Sequence, residues 1–196
     1  MRTVTADDVL DFWFQRPAFK EKGGPLEYRN CWFEKSDAFD AEIAQQFGAA
    51  VESALAEGFA DWAATPDGAL ALVLLLDQFP RNLFRNQAKA FAGDARARIV
   101  ARQAVDRGFD IALPPVMRLF FYMPFEHSES LPDQDLAHLL FSALDMQLPG
   151  HDLAHWADKH RVIIARFGRF PHRNAALGRQ SSPEETEFLR QPGSSF

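Results

Sequence analysis

The sequence predicts an all-α protein, and three observations carry that expectation. Apolar residues recur three and four positions apart along most of the chain, as in Phe39, Ile43, Phe47, Ala50, Val51, Ala54 and Leu55. Helix-starting and helix-stopping residues stand at the ends of these patterns, as at Ser36 and Gly58, or at Thr65 with Pro66. No stretch of any length alternates apolar and polar residues as a half-buried strand would.

Taken in order, Thr5-Ala-Asp-Asp8 resembles a capping box and starts a helix over about 6–15, with Val9, Leu10, Trp13 and Phe14 on one face. Residues 16–36, with Pro17, Gly23, Gly24 and Pro25, read as a loop from which Cys31-Trp32-Phe33 must dock on something apolar. Ser36 caps a helix of about 37–57, which Gly58 ends. Thr65 and Pro66 open a helix of about 66–79 that is apolar without a break from Ala69 to Leu76, and so is buried on every side. Pro80 should stop it or kink it. Asp94 is the expected N-cap of a helix over 95–107, closed by Gly108. Pro114 starts a short apolar helix, Val116 to Tyr122, that meets Pro124. A helix over about 133–147 should turn Leu136, Leu139, Leu140, Ala143 and Leu144 inward. The next, His151 to Phe167, carries a stripe of Leu153, Trp156, His160, Ile163, Ile164 and Phe167. Ser182-Pro183-Glu184-Glu185 opens a last short helix, and 192–196 read as a loose tail. The whole of 1–196 reads as a single all-helical domain.

Composition narrows the function classes. With 47% hydrophobic residues, 19 Phe and 4 Trp in 196 residues, the chain can build a sizeable core. A net charge of −6 argues against nucleic-acid binding by bulk charge. The one cysteine, Cys31, excludes an internal disulfide and a cysteine-based zinc site, and fits the cytoplasm. Acids at Asp7, Asp8 and Asp11 argue against a signal peptide, and no apolar run approaches the roughly 20 residues of a membrane span. No phosphate-loop, dinucleotide, zinc-protease or calcium-loop motif is present, so no cofactor and no metal are expected.

A weak internal repeat organises the polar residues. Three stations share a proline followed by polar groups: Phe79-Pro80-Arg81-Asn82, Met123-Pro124-Phe125-Glu126-His127 and Phe170-Pro171-His172-Arg173-Asn174. Their prolines lie 44 and 47 residues apart. The pattern suggests stacked antiparallel helix pairs over about 37–79, 95–122 and 133–167, with extra N- and C-terminal helices. Such a stack would bring the stations to one rim. Asp77, near the tip of the buried helix, needs a cationic partner, with Arg81, Arg85 and Arg173 as candidates. His160 sits mid-stripe, where an imidazole is either a functional base or a core histidine hydrogen-bonded to a carbonyl or carboxylate. Segment 126–135 holds four acids and no lysine or arginine, and 159–179 holds six lysines and arginines and no acid; either these pair within the chain, or surplus arginines with Asn82 and Asn174 hold an anion or carboxylate.

LLLDQFPRNLFR at 74–85, FFYMPFEHSESL at 120–131, FGRFPHRNAALGR at 167–179 and SSPEETEFL at 181–189 resemble the family called domain of unknown function 924. DFWF at 11–14, WF at 32–33 and FAGDARA at 91–97 fit it too, with Ser182 where threonine is expected. The resemblance implies a bacterial protein with a tetratricopeptide-like all-helical fold. It carries no catalytic role over to any residue, and peptide or protein binding follows only by analogy with the fold.

Two functional readings follow, with a structural alternative. In the first, Asp77, Arg81, Asn82, Glu126, His127, His160, His172, Arg173 and Asn174 line a pocket for a small polar or anionic ligand or a peptide end. In the second, a hydrolase or transferase uses His127 or His160 as base, Glu126 as its partner and Arg81 with Arg173 to stabilise charge. In the third, these groups only staple the helices and the protein acts through an outer face. The sequence does not set the oligomeric state.

Overall fold

The computed structural model describes residues 3–17 and 25–194; the regular elements among them are helices, with no strand. The part of the predicted 16–36 loop that falls on 18–24, and residues 195–196 of the predicted tail, lie outside the described residues. No described helix is long and apolar enough to cross a membrane. The backbone groups into two compact units. One takes in the chain to Arg85 together with Lys89–Pro124, and the other Asn86–Ala88 with Phe125–Phe196.

The first unit is built on the buried helix that the sequence singles out. Helix α1 (Ala6–Phe14) opens with the expected capping box: Asp8 N–H donates to Thr5 Oγ1 (3.2 Å) and Thr5 N–H to Asp8 Oδ2 (2.9 Å). At its other end Trp13 O accepts from the Trp32 indole (3.0 Å) and from Arg29 (2.5 Å), so a carbonyl left over by the helix is satisfied. Trp32 thus docks as expected, stacked on Trp13, whereas Phe33 stays half-exposed. Helix α2 (Asp37–Leu55) is capped by Ser36 and buries Ile43, Phe47, Ala50, Val51 and Ala54. Gly58 does not close it through a left-handed backbone; Glu57 and Phe59 hold the positive φ angles instead. Gly58 is needed for space, since a Cβ there would sit 2.7 Å from Ser53 O.

Helix α3 (Pro66–Val73) is capped by Thr65 and buries every residue from Gly68 to Val73, packing on α1 and on α5 (Asp94–Asp106). Pro80 does not stop the helix. Proline has no N–H and its ring collides with the carbonyl four residues back, here Leu76. The chain avoids this by widening one turn: Leu74–Gln78 are π-helical, with Phe79 N–H donating to Leu74 O five residues back. The helix then resumes as α4 (Phe79–Leu83), which packs on α2. The Leu76 carbonyl faces Gly93, where a Cβ would come within 2.2 Å of it. Asp94 is the first residue of α5 and not its N-cap, which is Gly93; its carboxylate is gripped by Arg81. Helix α6 (Pro115–Glu126) runs past Pro124 instead of ending before it, and the boundary of the two units falls after that proline. Trp13, Trp32, Phe14 and Phe120 close the aromatic core of this unit.

In the second unit α7 (Leu131–Asp145) packs against α8 (Leu153–Phe167) across a short connection, as the expected third pair requires. The inward face of α7 is only in part the predicted one. Leu144 is buried as expected, but its companions are Gln134, Ala137 and Phe141, and Leu139 is 66% exposed. The reason is Gln134, whose carboxamide donates to the carbonyls of Glu126 (2.6 Å) and Ser128 (2.7 Å) and turns the helix toward the end of α6. Helix α8 begins two residues later than predicted. Asp145 reaches across from the end of α7 and accepts from Leu153 N–H and Ala154 N–H, both at 2.8 Å. Trp156 falls off the buried stripe and is half-exposed, with Lys159 Nζ 4.3 Å over its ring. After Gly168 (φ 67°) the chain makes a short 3₁₀ turn at Pro171–Arg173. It closes with α9 (Pro183–Phe188), opened by a complete capping box between Ser182 and Glu185. Ser194 Oγ donates back to Leu189 O at 3.2 Å.

Candidate functional site

The first station lies in the first unit, and its charges meet close by. Asp77 is fully buried; Arg81 Nη1 is 3.1 Å from its Oδ1, and the Gln78 carboxamide donates to its Oδ2 at 2.6 Å. The partner of Asp77 is therefore an arginine of its own helix tip. Arg81 also grips Asp94 with two hydrogen bonds, of 2.9 and 3.1 Å. Burial works against the guanidinium charge, but Asp77 and Asp94 outweigh it and hold the Arg81 pKa above its ordinary value. Asn82 donates to Asp40 Oδ1 at 2.7 Å, and Arg85 holds both oxygens of the same carboxylate. Asn82 and Arg85 thus fasten the tip of α4 to the first turn of α2.

The second and third stations come together in the second unit. Glu126 ends α6, and its Oε1 is 3.4 Å from His160 Nδ1 on α8. That nitrogen is also 2.9 Å from Trp156 O. A carbonyl only accepts, so Nδ1 carries the hydrogen, and in the neutral ring Nε2 holds the lone pair. Burial is the main reason that the His160 pKa falls to about 3. The neighbouring charges of His127, Arg173 and His172 add to the fall, against the opposing pull of the Trp156 carbonyl. The rings of His127 and His160 lie 6.4 Å apart.

Phe170 is the pivot of this cluster. It is wholly buried; His160 meets it edge-on at 5.8 Å, His172 lies 5.5 Å away, and the Arg173 guanidinium stands 4.5 Å over its face. Both its backbone groups are held. Phe170 N–H donates to Glu129 Oε1 (2.8 Å) and Phe170 O accepts from Arg179 (3.2 Å). Glu129 and Arg179 are themselves joined by two hydrogen bonds, of 2.7 and 2.9 Å. Burial raises the Glu129 pKa, but Arg179, the Phe170 amide and Arg173 reverse this and leave it below its ordinary value. Glu126, His160 and Arg173 are buried, and His127 and His172 are half-exposed beside them. Asn174 turns elsewhere: its Nδ2 donates to Ser181 Oγ (3.0 Å) and Glu185 Oε2 (3.4 Å), at the cap of α9.

The expected pairing of the acid-only and base-only segments is present in Arg179–Glu129 and Arg161–Asp135, whereas Arg166 and Arg169 go to Glu184 and Glu185 of α9. Sequence reasoning did not single out Phe170, Glu129, Arg179 or Gln134 as site-forming. The charge segregation pointed at Glu129 and Arg179, but Gln134 gave no signal. Among the described residues, no three of His, Cys, Asp and Glu gather in a way that could hold a metal ion.

The chain belongs to the family described as bacterial protein of unknown function (DUF924), whose family model matches residues 9–193. It is similar to the solved structure of a protein of unknown function from Agrobacterium tumefaciens, with 41% identity over 94% of this chain and 96% of that one, and a TM-score of 0.78. No curated protein matches it.

Proposed function

We propose that this member of the DUF924 family binds a small polar or anionic ligand, or the carboxylate end of a peptide, at the cluster of Glu126, His127, His160, His172 and Arg173. The observation that supports this is that His160, His172 and Arg173 stand against Phe170, with Glu126 3.4 Å from His160 and the His127 ring 6.4 Å from it, so that neighbouring charges disfavour one on His160. Such a set offers charge-assisted donors to an incoming oxyanion, and a guanidinium can grip a carboxylate or phosphate with two parallel bonds. His127 and His172 are partly exposed, whereas Glu126, His160 and Arg173 are buried.

Binding is favoured over catalysis by the direction of the His160 shift. A general base works best with a pKa near the working pH. At about 3, His160 is neutral and weakly basic at pH 7, suited to a fixed hydrogen bond and not to proton abstraction. In this reading Asp77, Arg81, Asn82 and Asn174 hold helices in place, and the protein works in the cytoplasm.

The test is a thermal-shift screen of small carboxylates, phosphates and short peptides on wild type and on Arg173→Ala. A ligand at a hundred times its Kd adds about 2.7 kcal/mol, which in a chain of this size raises the melting temperature by roughly 5–10 °C. The expected result is a shift in wild type that Arg173→Ala loses. Equal stabilisation of both proteins would place the ligand elsewhere.

A further inference from the structure

We infer that the outer face of α7 is a self-association surface, on which a second copy of this chain docks through a two-fold axis with the two α7 helices antiparallel. The inference is independent of the anion-binding reading above.

Gln134 fixes which side of α7 turns inward, through its bonds to the carbonyls of Glu126 and Ser128. The other side carries Leu131 (39% exposed), Leu139 (66%) and Met146 (86%). At ~100° per residue, these three and the intervening Asp135 and Ser142 fall within an arc of about 80°. Met146 keeps helical backbone angles, φ −63° and ψ −22°, so it prolongs the stripe. Over about 22 Å of helix the face alternates apolar, acid, apolar, hydroxyl, apolar. Exposed apolar side chains standing singly need no explanation, but three aligned on one face mark a contact surface.

The order of the residues says what covers this face. Reversed about the point between His138 and Leu139, the stripe maps onto itself: Leu131 falls on Met146, Asp135 on Ser142, and Leu139 beside its own copy. A two-fold interface, the commonest in soluble oligomers, requires such self-complementarity. Charge selects the direction. In a parallel pair Asp135 would meet Asp135. In the antiparallel pair each carboxylate meets the partner's Ser142, and the helix dipoles oppose one another. Asp135 is also compensated within its own copy by Arg161 of α8, at 2.6 Å. Ser142 Oγ donates to His138 O at 2.7 Å, so the hydroxyl is satisfied as the contact closes.

The experiment is sedimentation equilibrium of the full chain from roughly 5 to 500 µM. One helix pair covers less than a standard interface, so a dissociation constant of about 10–100 µM is expected. Wild type should pass from monomer to dimer over that range. Leu139→Lys sets two like charges at the axis and should weaken the dimer at least roughly tenfold. Ile111→Lys, at a site 69% exposed in the first unit, should leave it unchanged. Because Leu139 is exposed, its variant should melt with wild type at low concentration; if it melts lower, Leu139→Gln replaces it with the same expectation. Spin labels on Met146→Cys, with Cys31→Ser to remove the native thiol, test the direction. They should stand roughly 20–30 Å apart in the antiparallel pair, against about 10 Å in a parallel one. A chain that stays monomeric to about 500 µM overturns the inference. So does a dimer that Leu139→Lys leaves intact, one that Ile111→Lys weakens equally, or labels at the shorter distance.

Discussion

Two regions of this protein use the same ingredients, a helix that carries a proline and a polar group just behind it, and put them to different ends. At the Asp77 tip, one guanidinium stands between two carboxylates at 2.9–3.1 Å. At the His160 cluster, three imidazoles and Arg173 gather with Glu126 around an aromatic ring. In the first, opposite charges meet at hydrogen-bonding distance, so the desolvated carboxylates are compensated on the spot. In the second, burial first and then the charges of His127, Arg173 and His172 keep the His160 imidazole neutral. Under the proposed function, the difference separates a staple from a site. Removing Arg81 tests the staple. Arg81→Ala leaves Asp77 and Asp94 facing each other, one of them fully buried, and should cost about 3–5 kcal/mol in urea unfolding. A loss under 1 kcal/mol would erase the contrast drawn here.

Acid sensitivity tests the other side. His160 has a folded pKa of about 3 against an ordinary value of 6.5, so its neutral form is favoured by folding. Its contribution is fully present above pH 6.5 and is lost as the pH falls toward 3, with a slope approaching ~1.4 kcal/mol per pH unit. Glu129 and Glu185, both with lowered pKa values, add to the loss only below about 4.5, their ordinary value. For Glu185 the cause is first the Arg169 hydrogen bond, and its value falls to about 2. Between pH 6.5 and 5 these two carboxylates add little, and comparison with a His160 variant isolates the imidazole. His160→Gln should flatten that part of the profile, and an unchanged slope would show that the ring titrates normally.

The same contrast governs what the sequence could reveal. The staple was legible because its members are close in the chain: Asp77 and Arg81 are one helical turn apart, and an acid in an unbroken apolar run demands a cation. Pro80 read as a stop or a kink and Pro124 as a stop, but in a packed helix one widened turn absorbs the lost bond at Pro80, and α6 simply continues through Pro124. The cluster was half legible. Glu126, His127, His172 and Arg173 stood out by chemistry, but the ring that gathers them, Phe170, looked like any of 19 phenylalanines. Gln134 was hidden because periodicity weighs apolar side chains, and the leucine-rich face of α7 outscored the one that packs. The carbonyls of Glu126 and Ser128 decide that register, since buried acceptors left without a donor cost more than an exposed Leu139. Gln134→Leu should accordingly destabilise by about 1–3 kcal/mol although it adds an apolar group to a buried position, as thermal or urea unfolding would show.

The smallest effect is the most specific. If the neighbours of His160 hold it neutral, taking one of their charges away must let its pKa rise. Arg173→Gln keeps a polar side chain of similar reach and removes a positive charge that acts on the ring. The His160 pKa should climb by about half a unit to one unit, read from the pH dependence of its ring proton resonance. Burial and the Trp156 carbonyl remain, so most of the depression should persist. At the Asp77 tip the corresponding change works by a different route: losing Arg81 removes the cation between two carboxylates, whereas losing Arg173 lifts a repulsion from His160 at the same time as it removes an attraction to Glu129, and should cost less stability at pH 7 than Arg81→Ala. A His160 resonance that titrates identically in both proteins would mean that burial alone keeps the ring neutral. The crowding of positive charge, on which the anion site is argued, would then lose its support.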